Sequence, residues 1–524
     1  MSINKSTVRI SNRHIAKSAS VISLATVASR ILGFIRDVII AKMFGTAVSA
    51  QAFVVAFRIP NLLRDLVGEG ATNSAVVPVF SEYLVQKKRE EFWHLFSVVL
   101  NLFLIFASIV TVLGIIFAPF LVKIIAPGFI RDPDKLLLTV KLTRIMFPYL
   151  ILIGLTAYSM GILFTFRSFF TPAFSPCLLN ITMIFAALIA SSRMQEPIIG
   201  LAIGVVVGGF LQLAFQIPPL YKKGMVLVRG GEFSHPGAKK IGRLLLPRVF
   251  GSAVYQLNLV VDTICASLSG IVGEGSVAAI YYANRVIQFP LGVFGIALAS
   301  VILPTMSGHM ASKNLEEFKS TLLFSLRSIF LVMLPCAVML IILANPIIRL
   351  LFQRGQFDSY STQITAWALL FYAFGLFAYS GAKILISSFY SMQDTVTPVK
   401  VATVSLAVNA VLNLILMWPL KVGGIALASS ISAAVNYFML YHILEKRIGK
   451  MDFGLRQYFI KVLIAAALMG LVLFFIWQNL FLNYHLVIRF VISVALGIIV
   501  FILACFWLRV EEMKELILWI LNRK

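Results

Sequence analysis

Long runs of hydrophobic residues, separated by short polar connectors, extend along almost the whole chain. Each run approaches the roughly 20 residues that an α-helix needs to cross a bilayer, and about fourteen such runs can be counted. The runs lack the alternation of apolar and polar positions that a membrane β-barrel requires, so backbone hydrogen bonds in lipid must form within helices. The pattern predicts an all-α polytopic membrane protein with about fourteen transmembrane helices.

Sequence features recur at one nearly constant spacing, which indicates an internal repeat. Pro78 and Pro304 lie 226 positions apart, as do Pro172 and Pro398. Chance is a poor explanation for this shared spacing. Two repeats with an even number of spans share one orientation, and parallel repeats of this kind place a substrate site between the halves. The predicted divisions are an N-terminal lobe with helices 1–6 over residues 1–230, a C-terminal lobe with helices 7–12 over 231–450, and two additional helices with a cytoplasmic tail over 451–524.

Basic residues outnumber acidic ones, since 45 Lys and Arg against 21 Asp and Glu give a net charge of +24. Such a charge can indicate nucleic-acid binding, but here the cations lie in short connectors between apolar runs rather than on one polar face. Basic connectors such as 87–89 follow the positive-inside rule, which assigns them to the cytoplasm. Both termini are therefore predicted to be cytoplasmic, and no nucleic-acid partner is expected.

Arginines interrupt three of the apolar segments: Arg30 and Arg36 in SRILGFIRD, Arg64 in IPNLLRDLVGEGA, and Arg285 in YYANRVIQFP. An arginine at the centre of a spanning helix costs roughly 2.5–3.5 kcal/mol even on a lenient insertion scale, so several together indicate a hydrated cavity and an anionic cargo. A guanidinium stays protonated and offers a planar fork of donors that suits phosphate. We predict that these four arginines bind an anionic substrate.

The same arginines have a second interpretation, in which they reach the membrane surface or pair with carboxylates such as Asp37 or Glu69. Arg30 and Arg36 are six positions apart, which leaves them about 120° apart around an ideal helix. Both can face one cavity only if it surrounds the helix or if the helix bends at Gly33. Asp37 can orient the neighbouring guanidinium without neutralising the whole set.

Two of the arginine segments contain helix breakers. Arg64 lies between Pro60 and the run 68–70, Gly-Glu-Gly, while Arg285 precedes the Pro- and Gly-interrupted stretch QFPLGVFGIALASVILP. Broken helices line the binding sites of many transporters. The breaks therefore support a site close to these arginines.

Carboxylates within the apolar segments are few. Asp262 in LNLVVDTICASL is the clearest intramembrane carboxylate of the second half, and Asp394 lies at a span end in SMQDTVTP. Either is a candidate to bind Na⁺ or H⁺ for coupling. For Asp394 the sequence favours the alternative that it caps the helix after its loop.

Enzyme signatures are absent from the sequence. It contains no Walker loop, dinucleotide fingerprint, HExxH or GxSxG, and its six histidines and four cysteines are scattered. A membrane enzyme acting on polyprenyl phosphates would need carboxylates or histidines in sizeable external loops, and these loops are short. The chain is predicted not to be an enzyme and to need no metal or organic cofactor, with a coupling ion or the membrane potential as the candidates for driving transport.

Several motifs, in this order and at this spacing, resemble the MurJ (MviN) family of bacterial lipid II flippases in the MOP exporter superfamily: SRILGFIRD, AFVVAFRIPNLLRDLVGEGA, APGF, FSPCLLN, YYANRVIQFP, LFQRGQF and FYSMQDTVTPVK. The resemblance covers essentially the whole chain. It implies two six-helix lobes around a central cationic cavity, and two C-terminal helices that form a groove for a polyprenyl tail. It also implies the bacterial cytoplasmic (inner) membrane as the location, with the bilayer and other cell-wall synthesis proteins as partners.

The resemblance implies lipid II, the undecaprenyl-pyrophosphate-linked disaccharide peptide, as the substrate, which alternating access moves from the inner to the outer leaflet for peptidoglycan synthesis. By motif position, Arg30, Arg36, Arg64 and Arg285 match the family's essential arginines, supported by Asp37, Glu69 and Asn284. Some relatives bind sodium in the second lobe, and Asp262 is our candidate for that site.

The sequence departs from the family pattern at two places and leaves one alternative open. Gln51 stands where many relatives have an acidic residue, and Asn284 stands where Asp is common, so a carboxylate at these positions cannot take part in gating here. The alternative function is a flippase or exporter of the same superfamily for another polyprenyl-linked glycan. Drug export fits badly, because an arginine-lined cavity repels cations.

Overall fold

The computed structural model describes residues 5–67, 75–190, 193–226, 233–450, 454–480 and 483–513, with side chains except at 5–21, 23, 63–67, 190, 246–253 and 255. All regular secondary structure in these ranges is helical, which confirms the predicted all-α class. The chain divides into two compact units, Met1–Gln256 and Leu257–Lys524. The predicted divisions near 230 and 450 remain predictions.

The described part of the first unit is built from helices. They are α1 (Lys5–Phe44), α2 (Val48–Val67), α3 (Val77–Gln86), α4 (Arg89–Ile116), α5 (Ala118–Ile125), α6 (Pro133–Met146), α7 (Tyr149–Thr165), α8 (Phe170–Phe185) and α9 (Pro197–Lys222), followed by α10 (Pro236–Ser267), which contains the boundary between the units. Helices α6, α9 and α10 begin at a proline, whose fixed φ suits the first helical position and whose missing N–H is not needed there.

The described part of the second unit is helical as well. Its helices are α11 (Ser269–Val272), α12 (Ser276–Pro290), α13 (Ala297–Ala311), α14 (Leu315–Ile342), α15 (Ala344–Phe352), α16 (Ser359–Ala373), α17 (Leu376–Ser391), α18 (Val396–Leu420), α19 (Val422–Ile448), α20 (Leu455–Asn479) and α21 (Leu486–Trp507).

The helices repeat at the spacing found in the sequence. Helices α4 and α14 begin and end 226 positions apart. Asp132 and Asp358, also 226 apart, each accept a hydrogen bond from the backbone N–H three residues on, in the first turn of the following helix. Arg167 and Gln393, again 226 apart, both have a left-handed φ, of 57° and 60°. Helix boundaries, caps and turns are therefore repeated along with the sequence motifs.

Ten helical segments of the described residues are long and apolar enough to cross a membrane, or eleven if the bent pair α16 and α17 is one span. The chain is thus a multi-pass membrane protein, although the predicted number of fourteen is not confirmed. One segment, Ser276–Ala311, joins α12 and α13 through the π-helical turn Leu291–Ile296, which directly follows Pro290. This turn is the predicted interruption after Arg285, since prolines and π-turns break regular α-helical bonding.

In the first unit, the described part of the Arg64 segment contains no break at Pro60. Helix α2 continues through Pro60 and ends at Val67, and the next residues, 68–74, lie outside the described part of the chain.

An aromatic cluster fixes the start of α4 against its neighbours. Phe92 makes edge contacts with Phe80 of α3 and Phe166 after α7, at centroid distances of 5.2 Å each. Ile241 of α10 belongs to the same buried cluster. Because Phe92 is fully buried, the first turn of α4 has a position that core packing determines.

Candidate functional site

Arg36 lies in a buried polar cluster between α1 and α8. Its side chain is 7% exposed, and both Nε and Nη2 donate to Oδ1 of Asp37, at 3.0 and 2.8 Å. Nη1 donates to Oδ1 of Asn180 at 2.9 Å, and Nδ2 of Asn180 donates to the backbone oxygen of Ser29 at 3.0 Å. A carboxylate and an amide therefore orient the guanidinium, which is the pairing with Asp37 that the second interpretation of the sequence predicts.

Asn180 belongs to this cluster although the sequence analysis did not select it as a site residue. It lies in the FSPCLLN motif, 144 positions after Arg36. Its amide faces Gly33, where an added Cβ would lie 3.6 Å from Nδ2, an ordinary contact distance. Helix α1 runs through Gly33 without interruption, so this glycine faces the amide and does not end the helix.

Arg30 lies on a different face of α1. Its side chain is exposed, as are those of Val27 and Ile31, which are 52% and 54% exposed. The structure thus separates Arg30 from Arg36, as their spacing around the helix predicts. The side chain of Arg30 is open to a ligand, whereas that of Arg36 is enclosed.

Arg285 is half-buried on α12 and rests on an aromatic ring one turn earlier. Nη2 donates to the hydroxyl of Tyr281 at 3.1 Å, and Cζ lies 5.1 Å from the ring centroid, within the range of a cation–π interaction. The neighbouring Asn284 uses Oδ1 to accept a hydrogen bond from Nε2 of Gln288, at 2.5 Å. Tyr281 was not selected from the sequence, although it lies one helical turn from Arg285 in the YYANR motif.

Asp262 is the centre of a second buried cluster, formed by α10, α18 and α19. Its Oδ1 accepts hydrogen bonds from Nδ2 of Asn413 at 2.9 Å and of Asn409 at 3.3 Å, and its Oδ2 accepts one from the hydroxyl of Ser429 at 2.8 Å. Asp262 is 5% exposed and Asn413 is fully buried. The two asparagines, which lie one helical turn apart on α18, were not selected from the sequence.

One oxygen of this cluster is left over. Oδ1 of Asn413 is buried and has no hydrogen-bond partner among the described residues. Such atoms are rare in folded proteins and indicate a water molecule or an ion. In this structure both amides turn Nδ2 toward Asp262, and Oδ1 of Asn409 accepts a hydrogen bond from Nδ2 of Asn413 at 3.0 Å. If the amides turned over, the cluster would offer a carboxylate, two amide oxygens and a hydroxyl, a set that suits a hard cation such as Na⁺.

A family model described as "Lipid II flippase MurJ" matches residues 40–496. The chain belongs to the MurJ family. The predicted resemblance is confirmed.

Curated members of the MurJ family align with most of the chain. "Probable lipid II flippase MurJ" of Haemophilus influenzae is 37% identical over 464 residues, which cover 85% of this chain and 89% of the relative. "Lipid II flippase MurJ" of Burkholderia cenocepacia is 36% identical over 450 residues, covering 85% and 87%.

Solved structures show the same fold. "Lipid II flippase MurJ, inward closed conformation" is similar with a TM-score of 0.80 and 29% identity, over 93% of this chain and 98% of that one. An inward-facing multidrug resistance MATE transporter of the MOP superfamily has a TM-score of 0.67 at 15% identity, over 81% and 96%. The second likeness shows the fold alone.

Two predicted site residues of this MurJ family member lie outside the described residues. They are Glu69 and the side chain of Arg64. Of the predicted arginines that the structure describes, Arg30 and Arg36 belong to the first unit and Arg285 to the second.

Asp394 caps α18, as the alternative favoured by the sequence predicts. Oδ1 accepts hydrogen bonds from the backbone N–H groups of Val396 and Thr397, at 3.0 and 2.9 Å, and Oδ2 pairs with Nη1 of Arg447 at 2.5 Å. Burial alone would raise the pKa of Asp394, but the hydrogen bonds from Thr397 and Arg447 lower it to about 2. The carboxylate of Asp394 therefore fixes the start of α18 and its contact with Arg447.

Proposed function

We propose that this protein flips lipid II from the inner to the outer leaflet of the bacterial cytoplasmic membrane, with both termini in the cytoplasm. The observation that carries the proposal is membership of the MurJ family over residues 40–496, together with arginines inside apolar helices. Flipping makes and breaks no bond, so the protein is not an enzyme. Its partners are lipid II, the bilayer and other proteins of cell-wall synthesis.

The proposed recognition is electrostatic. Arg30, Arg36, Arg64 and Arg285 bind the diphosphate during the transport cycle, because guanidinium groups form bidentate hydrogen bonds with phosphate oxygens. Two guanidinium groups about 5 Å apart repel each other by roughly 3 kcal/mol at an effective dielectric near 20, and a bound diphosphate turns this repulsion into attraction. The polyprenyl tail stays in lipid while the lobes alternate.

The two arginines of α1 support this proposal to different degrees. Arg30 is exposed and free to approach an anion. Arg36 donates to Asp37 and Asn180 in the present conformation, so it fixes α1 against α8 and reaches the substrate only if that contact opens.

We also propose that a Na⁺ ion at Asp262 couples to transport. The ligands would be the carboxylate of Asp262, the side-chain oxygens of Asn409 and Asn413, and the hydroxyl of Ser429; the unpartnered Oδ1 of Asn413 supports this set. The membrane potential contributes as well, because each negative charge moved outward gains about 2.3 kcal/mol per 100 mV when the cytoplasm is negative. Flipping in vesicles should therefore respond to a clamped potential.

Complementation tests the proposal. The gene should restore growth to a cell depleted of its lipid II flippase, and Arg30→Ala and Arg285→Ala should fail while reaching the membrane in normal amounts. Arg36→Ala should fail as well, with less protein in the membrane, because it also removes a donor to the buried carboxylate of Asp37. Arg131→Ala is the matched control, because Arg131 is the exposed last residue of a short 3₁₀ helix and lies outside the proposed site. Growth with every alanine variant would refute the site, and failure of the unmodified gene would refute lipid II as the substrate.

The remaining alternative is a flippase for another polyprenyl-linked glycan, because the same arginines would bind any diphosphate linkage. A direct comparison in proteoliposomes separates the two. Faster flipping of lipid II than of a polyprenyl-diphosphate glycan without the peptide supports our proposal, and the reverse order supports the alternative.

A further inference from the structure

Three metal-ligating side chains meet in the first unit, where α4 and α10 begin. Glu91, His94 and His235 each offer one ligand atom, and these atoms all lie within 4.8 Å of one another. Nε2 of His235 is 3.2 Å from Oε1 of Glu91, and the centroids of the two imidazole rings are 5.3 Å apart. In the part of the chain that the structure describes, this is the one group of three such ligands.

The backbone positions of this group are set by packing and do not depend on the ligands themselves. Glu91 and His94 lie three residues apart in the first turns of α4, and thus on one face of the helix. The start of α10 packs closely on α4, since an added Cβ at Gly237 would lie 2.9 Å from the side chain of Leu95. His235, which directly precedes α10, is 4% exposed. The fold therefore holds the three ligands together before any ion binds.

We infer that Glu91, His94 and His235 bind one divalent transition-metal ion of the Zn²⁺ class, with solvent completing its coordination. Two imidazoles and a carboxylate suit such ions, whereas Mg²⁺ and Ca²⁺ prefer oxygen ligands alone. In a tetrahedral site with bonds of about 2.0–2.2 Å, ligand atoms lie roughly 3.3 Å apart. The 3.2 Å between Nε2 of His235 and Oε1 of Glu91 already matches this distance. A rotation of the His94 side chain would bring one of its ring nitrogens to the ion as the third protein ligand.

Proton positions link the ion to the start of α10. Nδ1 of His235 accepts a hydrogen bond from the backbone N–H of Gly237 at 3.1 Å, so without metal the neutral ring carries its proton on Nε2 and donates it to Glu91. Coordination through Nε2 requires the proton to be on Nδ1 instead, which breaks the bond from Gly237. Metal binding thus replaces the hydrogen bond between Gly237 and His235, at the start of α10, by coordination bonds that join His235 to Glu91 and His94 of α4.

The residues around this group include both carboxylates and basic side chains. The ring of Tyr83 lies 5.5 Å from that of His235. The nearby ammonium of Lys240 is paired with Glu82 at 2.6 Å. Helix α10 contains the boundary between the two units. An ion bound by His235, Glu91 and His94 would hold the start of this helix against α4.

The second unit offers an internal control at the equivalent corner. Glu317, which lies 226 positions after Glu91, contacts Nδ1 of His309 at 2.9 Å, and Nε2 of His309 lies 3.2 Å from the hydroxyl of Thr321. This corner has one imidazole and a hydroxyl where the first unit has two imidazoles. It should bind a transition metal much more weakly.

The test uses the full-length protein without a histidine tag, treated with chelator and titrated with Zn²⁺ by calorimetry and with Co²⁺ by visible absorption. We expect one tightly bound ion per chain and Co²⁺ bands typical of tetrahedral coordination. His94→Gln and Glu91→Gln should each weaken binding at least about tenfold, in line with the loss of a metal-site partner. His309→Gln should leave the affinity unchanged.

His94→Gln is the decisive variant, because it leaves the bonds of His235 to Glu91 and Gly237 in place and so should fold. Its melting temperature without metal should match that of the unmodified protein. Equal Zn²⁺ affinity in the unmodified, His94→Gln and His309→Gln proteins would overturn the inference, as would the absence of a stoichiometric tightly bound ion.

Discussion

Both units contain a buried polar cluster that joins equivalent helices, α1 with α8 in the first and α10 with α18 in the second. The carboxylates of Asp37 and Asp262 lie 225 positions apart, and the amides of Asn180 and Asn409 lie 229 apart. The donors differ. Asp37 receives two hydrogen bonds from the guanidinium of the adjacent Arg36, whereas amides and a hydroxyl donate to Asp262.

This difference distinguishes a permanent charge from an exchangeable one. A guanidinium stays protonated and remains covalently in place, so the first cluster keeps its own cation beside Asp37 throughout the cycle. Amides and hydroxyls can turn their oxygens toward a cation, and we propose that the second cluster gains or loses a positive charge by binding Na⁺. On this proposal, the repeat provides one scaffold for two electrostatic roles.

The largest expected effect is that of removing the guanidinium from the first cluster. Arg36→Ala leaves the buried carboxylate of Asp37 without its main donor, which should destabilise the fold by about 3–5 kcal/mol. Thermal unfolding in detergent measures the loss. The double variant Arg36→Ala/Asp37→Ala should recover part of it, because no charge is then left buried. If Arg36→Ala alone melts within a degree of the unmodified protein, the first cluster does not depend on its permanent cation.

The next effect concerns the exchangeable charge of the second cluster. Replacing choline chloride by NaCl at equal ionic strength should raise the melting temperature of the unmodified protein. The expected gain in the free energy of unfolding is about 2.7 kcal/mol at a Na⁺ concentration 100 times the dissociation constant. Asp262→Asn should abolish the rise and retain the fold, since an amide can replace most of the hydrogen bonds. A Na⁺ effect of the same size in both proteins would contradict the coupling role of Asp262.

A smaller effect is expected where a carboxylate and an arginine pair near the surface. Asp394 is 17% exposed and has a pKa of about 2, against 3.8 in an unfolded chain. Its folded-state pKa is the lower one, so its stabilisation is complete above about pH 4 and is lost as the pH falls toward 2. Asp394→Asn should remove about 1 kcal/mol at pH 6 after solvent screening.

The measurement for this surface pair is the melting temperature between pH 6 and 2.5. The curves of the unmodified protein and Asp394→Asn should converge at the acidic end. Parallel curves would show that the pair with Arg447 does not carry the stabilisation.

The smallest effect is expected at Gly33. An added Cβ meets Asn180 only at an ordinary contact distance of 3.6 Å, and alanine favours a helix over glycine by about 0.8–1.0 kcal/mol. Gly33→Ala should therefore leave stability unchanged or slightly increased. If flipping also stays normal, the glycine is not a hinge; slower flipping with unchanged stability would restore the bending role that the sequence suggests.

Much of the fold could be predicted because the signals were local or periodic. Apolar runs predicted helices in a membrane, and the shift of 226 positions predicted the repeated helices that the structure contains. The cap at Asp394 and the break after Arg285 were predictable as well, because a cap and a Pro- and Gly-containing interruption depend on residues a few positions apart.

The clusters were less predictable because their members are far apart in the chain. Asn180 and Asn413 look like ordinary polar residues within spans until the fold places them beside Arg36 and Asp262. The same reason applies to His94 and His235, which the sequence presents as scattered. The charged residues could be recognised from the sequence, whereas the neutral residues that contact them could not.

The central claim is that permanent positive charge within apolar helices binds the diphosphate of the substrate. Lipid II affinity of the purified protein tests it most directly, with Arg30→Gln compared with the exposed control Arg131→Gln. We predict that Arg30→Gln weakens lipid II binding at least about tenfold, or 1.4 kcal/mol, and that the control does not. Equal affinity in all three proteins would contradict the account.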